Sequence, residues 1–411
     1  GLADLLQKVP ARPDTLYSIC SISKLFTAVA ILQLCDAGRL RLDDRIEDVV
    51  PGYNLTQAYA DSGPITVRSL LTHSSGLPRE SDYPYWTGPD FPFPDRTAIR
   101  AKLGEQKTLY PASTYHQYSN LGLTLLGEIV AARSGQPFER YIEDNILKPL
   151  RLTQTRTELP ATLRGGQLAT GYGARKRDGS REPQPFFQAR GSAAAFGFSS
   201  TVEDLGRFAS WQFRLLARGG TEILRAASLR EMHRVQWLDP DWKRAWGLGF
   251  AVREESNRTI VSHGGSCPGY RTHLELDPKD EVAAIVMINA SGAAPDKLAG
   301  GMRALLKKAR DPGPKSKPPA SVDLNAYAGR YDNQPWWGET AVVPWKGGLV
   351  TLALPSVDPK EDFTLWQHVQ GDTFRRVRSD EALGEELRFE RDNTGRVARV
   401  WRHSNYSNRL P

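Results

Sequence analysis

The chain has 411 residues, of which 40% are hydrophobic and 25% are charged, the proportions of an ordinary globular protein with about two domains. Its formal net charge is +7, but residues 303–318 hold six Lys or Arg against one Asp, so a net +5 lies in one segment. This concentration favours a solvated tether over a nucleic-acid groove. No apolar run reaches the length of a membrane span, and no metal-ligand pattern or Gly-rich phosphate loop occurs. We therefore expect no nucleic-acid partner, transmembrane segment, metal or cofactor.

The first predicted element is a helix that begins at Ser21 and is apolar on nearly every side as far as Leu34. Residues 36–38, Asp-Ala-Gly, mark its end, because a glycine commonly follows the last helical turn. Ser21 and Lys24 lie three positions apart, so both side chains project from one face of the helix. A desolvated lysine with a lowered pKa can take the proton of a serine and make it a nucleophile. One Ser-x-x-Lys also occurs by chance in a chain of this length, so the pair alone decides little.

The next two predicted segments are a short helix and a long loop. Residues 66–73 are predicted to form a short helix, and residues 81–95 form a loop rich in Pro and aromatic residues with no helical period. Trp86, Phe91 and Phe93 in this loop are candidates for the wall of an acyl-binding pocket. The alternative is that these rings only fill the space beneath the loop.

The tripeptide Tyr118-Ser119-Asn120 stands immediately before another apolar helical run, residues 121–130. Tyr-Ser-Asn recurs at residues 406–408, and residues 331–333 hold a second Tyr-x-Asn. Neither of these repeats precedes an apolar helix. We therefore interpret the later two as structural and retain Tyr118 and Asn120 as the candidates.

Residues 246–252 and 259–263 are predicted to be adjacent antiparallel strands. The second strand ends at His263 and is followed by two glycines and Ser266. A strand that ends in two glycines lets a substrate approach its backbone closely.

The last part of the chain contains a predicted helix at residues 297–308 and a stiff segment rich in Pro and Lys. Short alternating segments with turn signals then predict a small antiparallel β-domain or open barrel. The predicted strands begin at residues 340, 349, 373, 386 and 397.

Three motifs occur in a characteristic order: Ser-x-x-Lys at 21–24, Tyr-x-Asn at 118–120, and a basic residue with two glycines at 263–265. In this order and spacing the chain resembles the serine hydrolases related to class C β-lactamases and penicillin-binding proteins, which include family VIII esterases and D-aminopeptidases. Residues 70–78 (LLTHSSGLP) and 196–205 (FGFSSTVEDL) strengthen the resemblance. It implies the α+β class and a β-lactamase-like/DD-peptidase fold, in which an antiparallel sheet is flanked by helices and accompanied by an all-α region.

The resemblance also implies roles for individual residues. Ser21 would attack the substrate carbonyl, Lys24 and Tyr118 would move protons, and the N–H groups of Ser21 and Ser266 would hold the oxyanion. Beside a cationic lysine we expect the pKa of Tyr118 to fall. The catalytic candidates are therefore Ser21, Lys24 and Tyr118, and the substrate and oxyanion candidates are Asn120, His263, Gly264, Gly265 and Ser266.

His263 stands where class C β-lactamases carry a lysine. A histidine is only fractionally charged near neutral pH, so we expect it to anchor a substrate carboxylate less firmly than a lysine would. This difference favours ester or peptide substrates over β-lactams. The alternative is a strand-end histidine that forms only local hydrogen bonds.

Family members normally place a helix and two sheet strands before the nucleophile, whereas Ser21 here follows only twenty residues. Residues 1–5 resemble the tail of the second of those strands. We expect an unpaired sheet edge and a truncated or processed chain, or a partner segment that supplies the missing strands. Any export signal would be lost with that segment, so the compartment is unknown, with a periplasmic or secreted location favoured over the cytoplasm. The three cysteines, an odd number, predict no disulfide framework.

These observations divide the chain into a hydrolase domain (1–308), a linker (309–320) and a C-terminal β-domain (321–411). The last resembles the lipocalin-like appendage of many of these hydrolases; it either stabilises the protein, borders the cleft or mediates formation of a homo-oligomer. The predicted function is hydrolysis, through an acyl-enzyme, of small-molecule esters or D-amino-acid peptides and amides, with β-lactams ranked lower. The alternatives are a weak β-lactamase and a catalytically weak scaffold or binding protein that retains the fold.

Overall fold

The computed structural model describes residues 1–50, 52–255, 257–310, 322–335, 338–356, 358–359, 362–378 and 382–411. The chain divides into two compact units, residues 1–310 and 311–411. Residues 311–320 of the predicted linker lie outside the described residues, whereas residues 309 and 310 are the last turn of a helix.

The helices of the first unit carry many of its buried apolar residues. Two of them are apolar on every side because they lie inside the unit, and every residue from Ser23 to Leu32 of the first helix is buried. The helices are α1 (Ser23–Asp36), α2 (Ile46–Val49), α3 (Val67–Leu71), α4 (Arg96–Leu103), α5 (Asn120–Ser134), α6 (Phe138–Ile142), α7 (Ala193–Phe196), α8 (Val202–Arg218), α9 (Ala226–His233) and α10 (Pro295–Arg310).

Local side-chain chemistry determines several helix ends. The predicted helix near residue 66 is confirmed as α3, and it begins with a capping box in which the side chains of Thr66 and Ser69 each accept the other residue's backbone N–H. Thr201 caps α8 by accepting the N–H of Asp204 at 3.1 Å. Gly135 ends α5 in the left-handed conformation, with a φ of 76°.

Short strand pairs lie around the helices. They are β1 (Leu2–Asp4) with β2 (Val9–Pro10), β3 (Tyr17–Ser18) with β4 (Ser199–Ser200), and β5 (Thr221–Glu222) with β6 (Leu224–Arg225). We expected residues 1–5 to belong to the main sheet. That expectation is wrong, because β1 pairs antiparallel with β2 in a separate two-stranded sheet.

The main sheet of the first unit has six described strands, all antiparallel to their neighbours. They are β7 (Trp237–Leu238), β8 (Ala245–Trp246), β9 (Ala251–Glu254), β10 (Thr259–Cys267), β11 (Tyr270–Asp277) and β12 (Val282–Ile288), in the order β12-β11-β10-β9-β8-β7. The predicted strand 246–252 is in fact two strands, because residues 247–250 form a tight turn closed by a hydrogen bond from Gly247 N–H to Phe250 O. The second predicted strand continues four residues beyond His263 to Cys267.

The second unit is one antiparallel sheet in which each strand pairs with the next along the chain. Its strands are β13 (Gly329–Asp332), β14 (Glu339–Trp345), β15 (Gly348–Leu354), β16 (Thr364–Gln370), β17 (Thr373–Val377), β18 (Leu383–Arg391), β19 (Val397–Arg402) and β20 (Asn405–Asn408). A bridge between Tyr331 and Arg409 and a hydrogen bond from Leu410 N–H to Arg330 O join the first strand to the end of the last. The sheet therefore closes nearly into a barrel around its own aromatic core.

In its described residues the predicted β-domain is thus an eight-stranded antiparallel near-barrel, with β13, β16 and β20 added to the five predicted strands. The repeated Tyr-Ser-Asn lies on β20. Across the described ranges of both units, no helix has the length and apolarity needed to cross a bilayer, and no group of three or more His, Cys, Asp or Glu side chains is placed to hold a metal ion.

Asp204 joins α8 to the chain that follows α6. Its buried carboxylate accepts three hydrogen bonds at 2.8–2.9 Å, from Gln154 N–H and from the N–H and hydroxyl of Thr155, and a fourth at 2.7 Å from Arg207 on its own helix. Removing a buried acceptor leaves its donors unsatisfied. We expect Asp204→Ala to lower the free energy of unfolding by about 3 kcal/mol.

The measurement is denaturant unfolding of this variant and of Glu203→Ala, its matched control. Glu203 is exposed on the same helical turn, so its loss should cost less than about 1 kcal/mol. Equal losses in the two variants would show that Asp204 has no special role.

Candidate active site

The candidate nucleophile Ser21 lies on a short 3₁₀ turn, Cys20–Ile22, and α1 begins at Ser23 rather than at Ser21 as predicted. Cys20 has a left-handed backbone with a φ of 48°, a conformation that costs a non-glycine residue about 1–3 kcal/mol. The hydroxyl of Ser23 holds this turn, since it donates to Cys20 O at 2.6 Å and accepts from Phe198 N–H at 3.0 Å. The turn leaves Ser21 partly exposed.

Lys24 lies directly beneath Ser21 and is completely buried. Its Nζ is 2.7 Å from Ala195 O, 2.8 Å from Asn120 Oδ1 and 3.2 Å from Ser21 Oγ. Burial lowers the pKa of Lys24 well below its usual value, although the carboxylate of Glu80 acts in the opposite direction. A neutral amine has two N–H groups and one lone pair, and the two carbonyl oxygens can only accept. The lone pair of Lys24 therefore faces the hydroxyl of Ser21, which is the geometry of a general base.

Asn120, the first residue of α5, is held in the orientation that Lys24 needs. Its Nδ2 donates to both carboxylate oxygens of Glu80, at 2.8 and 3.1 Å, so its Oδ1 points toward Lys24. Glu80 in turn accepts a hydrogen bond from the Tyr85 hydroxyl and pairs with Arg79 at 3.2 Å. Glu80 is therefore a positioning residue for Asn120.

Tyr118 lies over Lys24, with Nζ 4.9 Å from its ring centroid, and its phenol is near enough to Ser21 for that residue to affect its pKa. The expectation that its pKa falls is wrong. Desolvation raises the pKa of Tyr118 above its usual value and outweighs the opposing effects of Ser21 and Arg79. A neutral Lys24 also brings no charge to the phenol. Tyr118 therefore keeps its proton and acts as a hydrogen-bond donor, with its ring stacked on that of His73 at 4.1 Å between centroids.

His263 is buried and uncharged. Its Nδ1 lies 2.7 Å from Gly264 O, so Nδ1 carries the proton and donates it, and Nε2 is left as an acceptor. Within the described part of the chain Nε2 has no hydrogen-bond partner. Desolvation lowers the pKa of His263 to about 3. The predicted fractional charge is therefore wrong, because the imidazole is neutral near pH 7.

The glycines beside His263 let β10 approach the nucleophile turn. A Cβ added to Gly265 would lie 2.4 Å from Ile19 O and 2.2 Å from Thr272 Oγ1, so only glycine fits at this position. Ser266, the next residue, is exposed and pairs with Arg271 of β11. The strand thus brings Ser266 into the same cleft as Ser21.

One open cleft of about 1080 Å³ collects the candidate residues. Lys24 lies beneath it, and the others line it: Ser21, Tyr118, Asn120, His263, Gly264, Gly265 and Ser266.

Of the three predicted wall residues, Trp86 lines the cleft, together with Phe196. Phe91 and Phe93 instead lie behind it, 8% and 3% exposed, and the ring of Phe93 packs against that of Trp86 at 5.1 Å. These two rings fill the space beneath the loop, which is the alternative that the sequence left open.

A disulfide joins Cys20 to Cys267, while Cys35 is free. The expectation that the cysteines form no disulfide framework is therefore incomplete, since an odd number of cysteines still allows one pair. The bridge connects the residue before Ser21 to the residue after Ser266.

A family model described as Beta-lactamase matches residues 1–308. The chain belongs to the Beta-lactamase family. Together with the Ser21 and Lys24 geometry, this membership makes the protein a serine hydrolase.

This Beta-lactamase family protein is 29% identical over 340 residues to penicillin-binding protein 4 of Amycolatopsis lactamdurans, a match covering 79% of this chain and 87% of the relative. It is 28% identical over 301 residues to protein flp of Staphylococcus aureus (strain COL), covering 72% of this chain. The match spans only 57% of the length of flp. The solved structure of an octameric penicillin-binding protein homologue from Pyrococcus abyssi shares the fold, with a TM-score of 0.64 at 24% identity over 99% of this chain and 91% of that one.

Sequence reasoning missed several residues of the site in this Beta-lactamase family protein. Glu80, Arg79 and His73 were not singled out, because no spacing rule connects them to Lys24 or Tyr118. A signal did exist for the disulfide, since each of its cysteines is the immediate neighbour of a candidate oxyanion residue.

The effect of Glu80 on Lys24 gives a testable pH dependence. The negative carboxylate raises the pKa of Lys24, so Glu80→Gln should lower it further while the amide oxygen still accepts from Asn120. Activity requires neutral Lys24 and is lost as pH falls through its pKa. The acid limb of the kcat/KM profile should therefore move to lower pH in Glu80→Gln.

The matched control is Glu105→Gln, which removes an exposed carboxylate that does not line the cleft. Its profile should coincide with that of the unmodified protein. An acid limb that stays in place, or moves to higher pH, in Glu80→Gln would contradict the assignment of Lys24 as the base.

Proposed function

We propose that this serine hydrolase acts through an acyl-enzyme on carboxylic esters and on D-amino-acid peptides or amides. The observation that carries the proposal is the buried Lys24, whose two carbonyl acceptors leave its third position facing Ser21 Oγ at 3.2 Å. Desolvation keeps the amine neutral, so it can accept the serine proton near neutral pH.

The proposed reaction uses groups that are already in place. Lys24 takes the proton of Ser21 as Ser21 Oγ attacks the substrate carbonyl. The N–H groups of Ser21 and Ser266 receive the oxyanion, and each such donor contributes roughly 3 to 4 kcal/mol. Tyr118 donates its proton to the leaving group and regains one from Lys24. Water then hydrolyses the acyl-enzyme by the same proton route in reverse.

The neutral group at His263 supports the substrate class. His263, beside Ser266, is neutral and offers an acceptor rather than a cation. The guanidinium groups of Arg79, Arg244 and Arg271 also line the cleft. A neutral group at His263 suits an ester or amide better than a β-lactam, whose carboxylate needs a cation close to the reacting carbonyl.

We also propose that the protein self-associates. The support is the Pyrococcus abyssi protein of similar fold, which is described as octameric.

Covalent labelling tests the nucleophile. Intact-mass spectrometry after exposure to a fluorophosphonate should show one adduct, which peptide mapping places on Ser21 and which Ser21→Ala abolishes. Turnover of a p-nitrophenyl ester and of a D-alanine p-nitroanilide identifies the preferred bond.

Ser266→Ala is the matched control, because it removes a hydroxyl from the same cleft and keeps the backbone N–H. It should retain labelling and activity within about threefold of the unmodified protein, because the proposed contact is made by the main chain. A folded protein that is never labelled, or is labelled equally in Ser21→Ala, would overturn the proposal.

The neutral His263 predicts a specificity change. His263→Lys should raise the ratio of kcat/KM for benzylpenicillin to that for p-nitrophenyl acetate about tenfold, because a charged hydrogen bond to a carboxylate contributes roughly 1.5 to 3 kcal/mol. His263→Gln, which adds no charge, is the control. If both variants change the ratio equally, the charge at this position does not select the substrate.

A further inference from the structure

Two cysteines flank the two backbone groups that we assign to the oxyanion hole. Cys20 directly precedes Ser21, and Cys267 directly follows Ser266. Their sulfur atoms are bonded, and their Cα atoms are 5.7 Å apart although 247 positions separate them in the chain. The bridge therefore joins the nucleophile turn to β10 within one residue of each N–H.

Non-covalent contacts also hold these two segments together. The Thr272 hydroxyl of β11 donates to Ile19 O at 3.0 Å, and Gly265 provides the close backbone approach described above. Cys20 itself is held in a left-handed backbone conformation that an unconstrained cysteine rarely adopts. The disulfide thus joins a strained residue of the nucleophile turn, Cys20, to the end of β10, two residues beyond Gly265.

We propose that Cys20 and Cys267 form a redox-sensitive clamp on the oxyanion hole, so that the bridged form hydrolyses substrate faster than the dithiol form. This inference rests on the proposed function. It identifies Cys20 and Cys267 as a site of reversible modification, at which dithiols reduce the disulfide and small disulfides form it again.

The chemistry is thiol–disulfide exchange. A thiolate of a dithiol attacks one sulfur of the bridge, forms a mixed disulfide and releases the other protein thiol; its second thiolate then displaces the remaining protein sulfur. The net reaction converts one protein disulfide and one dithiol into two protein thiols and one cyclic disulfide. Oxidised glutathione reverses it, forming the protein disulfide and two molecules of reduced glutathione.

The cleft provides the route to the bridge. Cys20 is fully buried, whereas Cys267 lines the cleft and is 3% exposed. A reductant therefore attacks the Cys267 sulfur from the substrate side, and an adduct on Ser21 should slow the reduction.

The experiment combines thiol counting with kinetics on the full chain. Under denaturing conditions the oxidised protein should contain one free thiol, that of Cys35, and the reduced protein three. Reduction should lower kcat for a p-nitrophenyl ester about tenfold with little change in KM, since loss of a whole oxyanion donor costs about 10²–10³. Oxidised glutathione should restore the rate.

Cysteine variants distinguish an effect of the disulfide on the oxyanion hole from an effect on stability alone. Cys20→Ser, Cys267→Ser and the double variant should all have the same lowered kcat, because each removes the same bond. They should also lose the response to reductant. Cys35→Ser, the matched control, should keep both the rate and the response.

Two results would overturn the clamp: three free thiols after treatment with oxidised glutathione, or an unchanged kcat after reduction at a temperature well below Tm. The second result would leave the bridge as a stabilising element only. Failure of the proposed function has a different signature, in which the oxidised protein with one free thiol neither turns over esters nor reacts with a fluorophosphonate.

Discussion

The burial of one amino group controls the chemistry of the first unit. An ammonium ion buried among apolar side chains is strongly destabilised, and this desolvation outweighs the opposing effect of Glu80, so Lys24 is favoured in its neutral form. A neutral amine still needs hydrogen-bond acceptors, and α5 and the end of α7 supply them through Asn120 and Ala195. The positions of both helices around α1 are thus linked to the protonation of a single side chain.

The same desolvation acts on the neighbouring titratable groups. It holds His73 and His263 without charge and keeps Tyr118 protonated. The reacting centre is therefore a network of neutral donors and acceptors, and its charged groups, Arg79 and Glu80, lie one step further out. Such a network can pass protons without creating isolated charges in a region of low dielectric constant.

Much of this arrangement could be predicted from the chain alone. Lys24 follows Ser21 by three positions in an apolar run. That pattern predicts both the helix and a lysine placed to act as the general base. Asn120 and Gly265 followed from their motifs, whose short-range geometry is set by a helix start and a strand end.

Other features depend on contacts between distant segments. The pKa direction of Tyr118 depends on how deeply the folded chain buries it, and a sequence gives only neighbours along the chain. Glu80 reaches Asn120 across 40 positions, and Phe93 turns away from the cleft because Trp86 and Phe196 occupy the wall. The strand at residues 246–252 was broken by a turn that local alternation did not reveal.

The close approach at Gly265 has a consequence for how the protein is made. The nucleophile turn precedes β10 by some 247 positions, so a nascent chain carries Ser21 before it carries the strand that we propose completes the oxyanion hole. Domains generally fold as units once enough of the chain has emerged. The proposed oxyanion hole is thus complete only after the intervening positions have been synthesised and β10 has docked on the nucleophile turn.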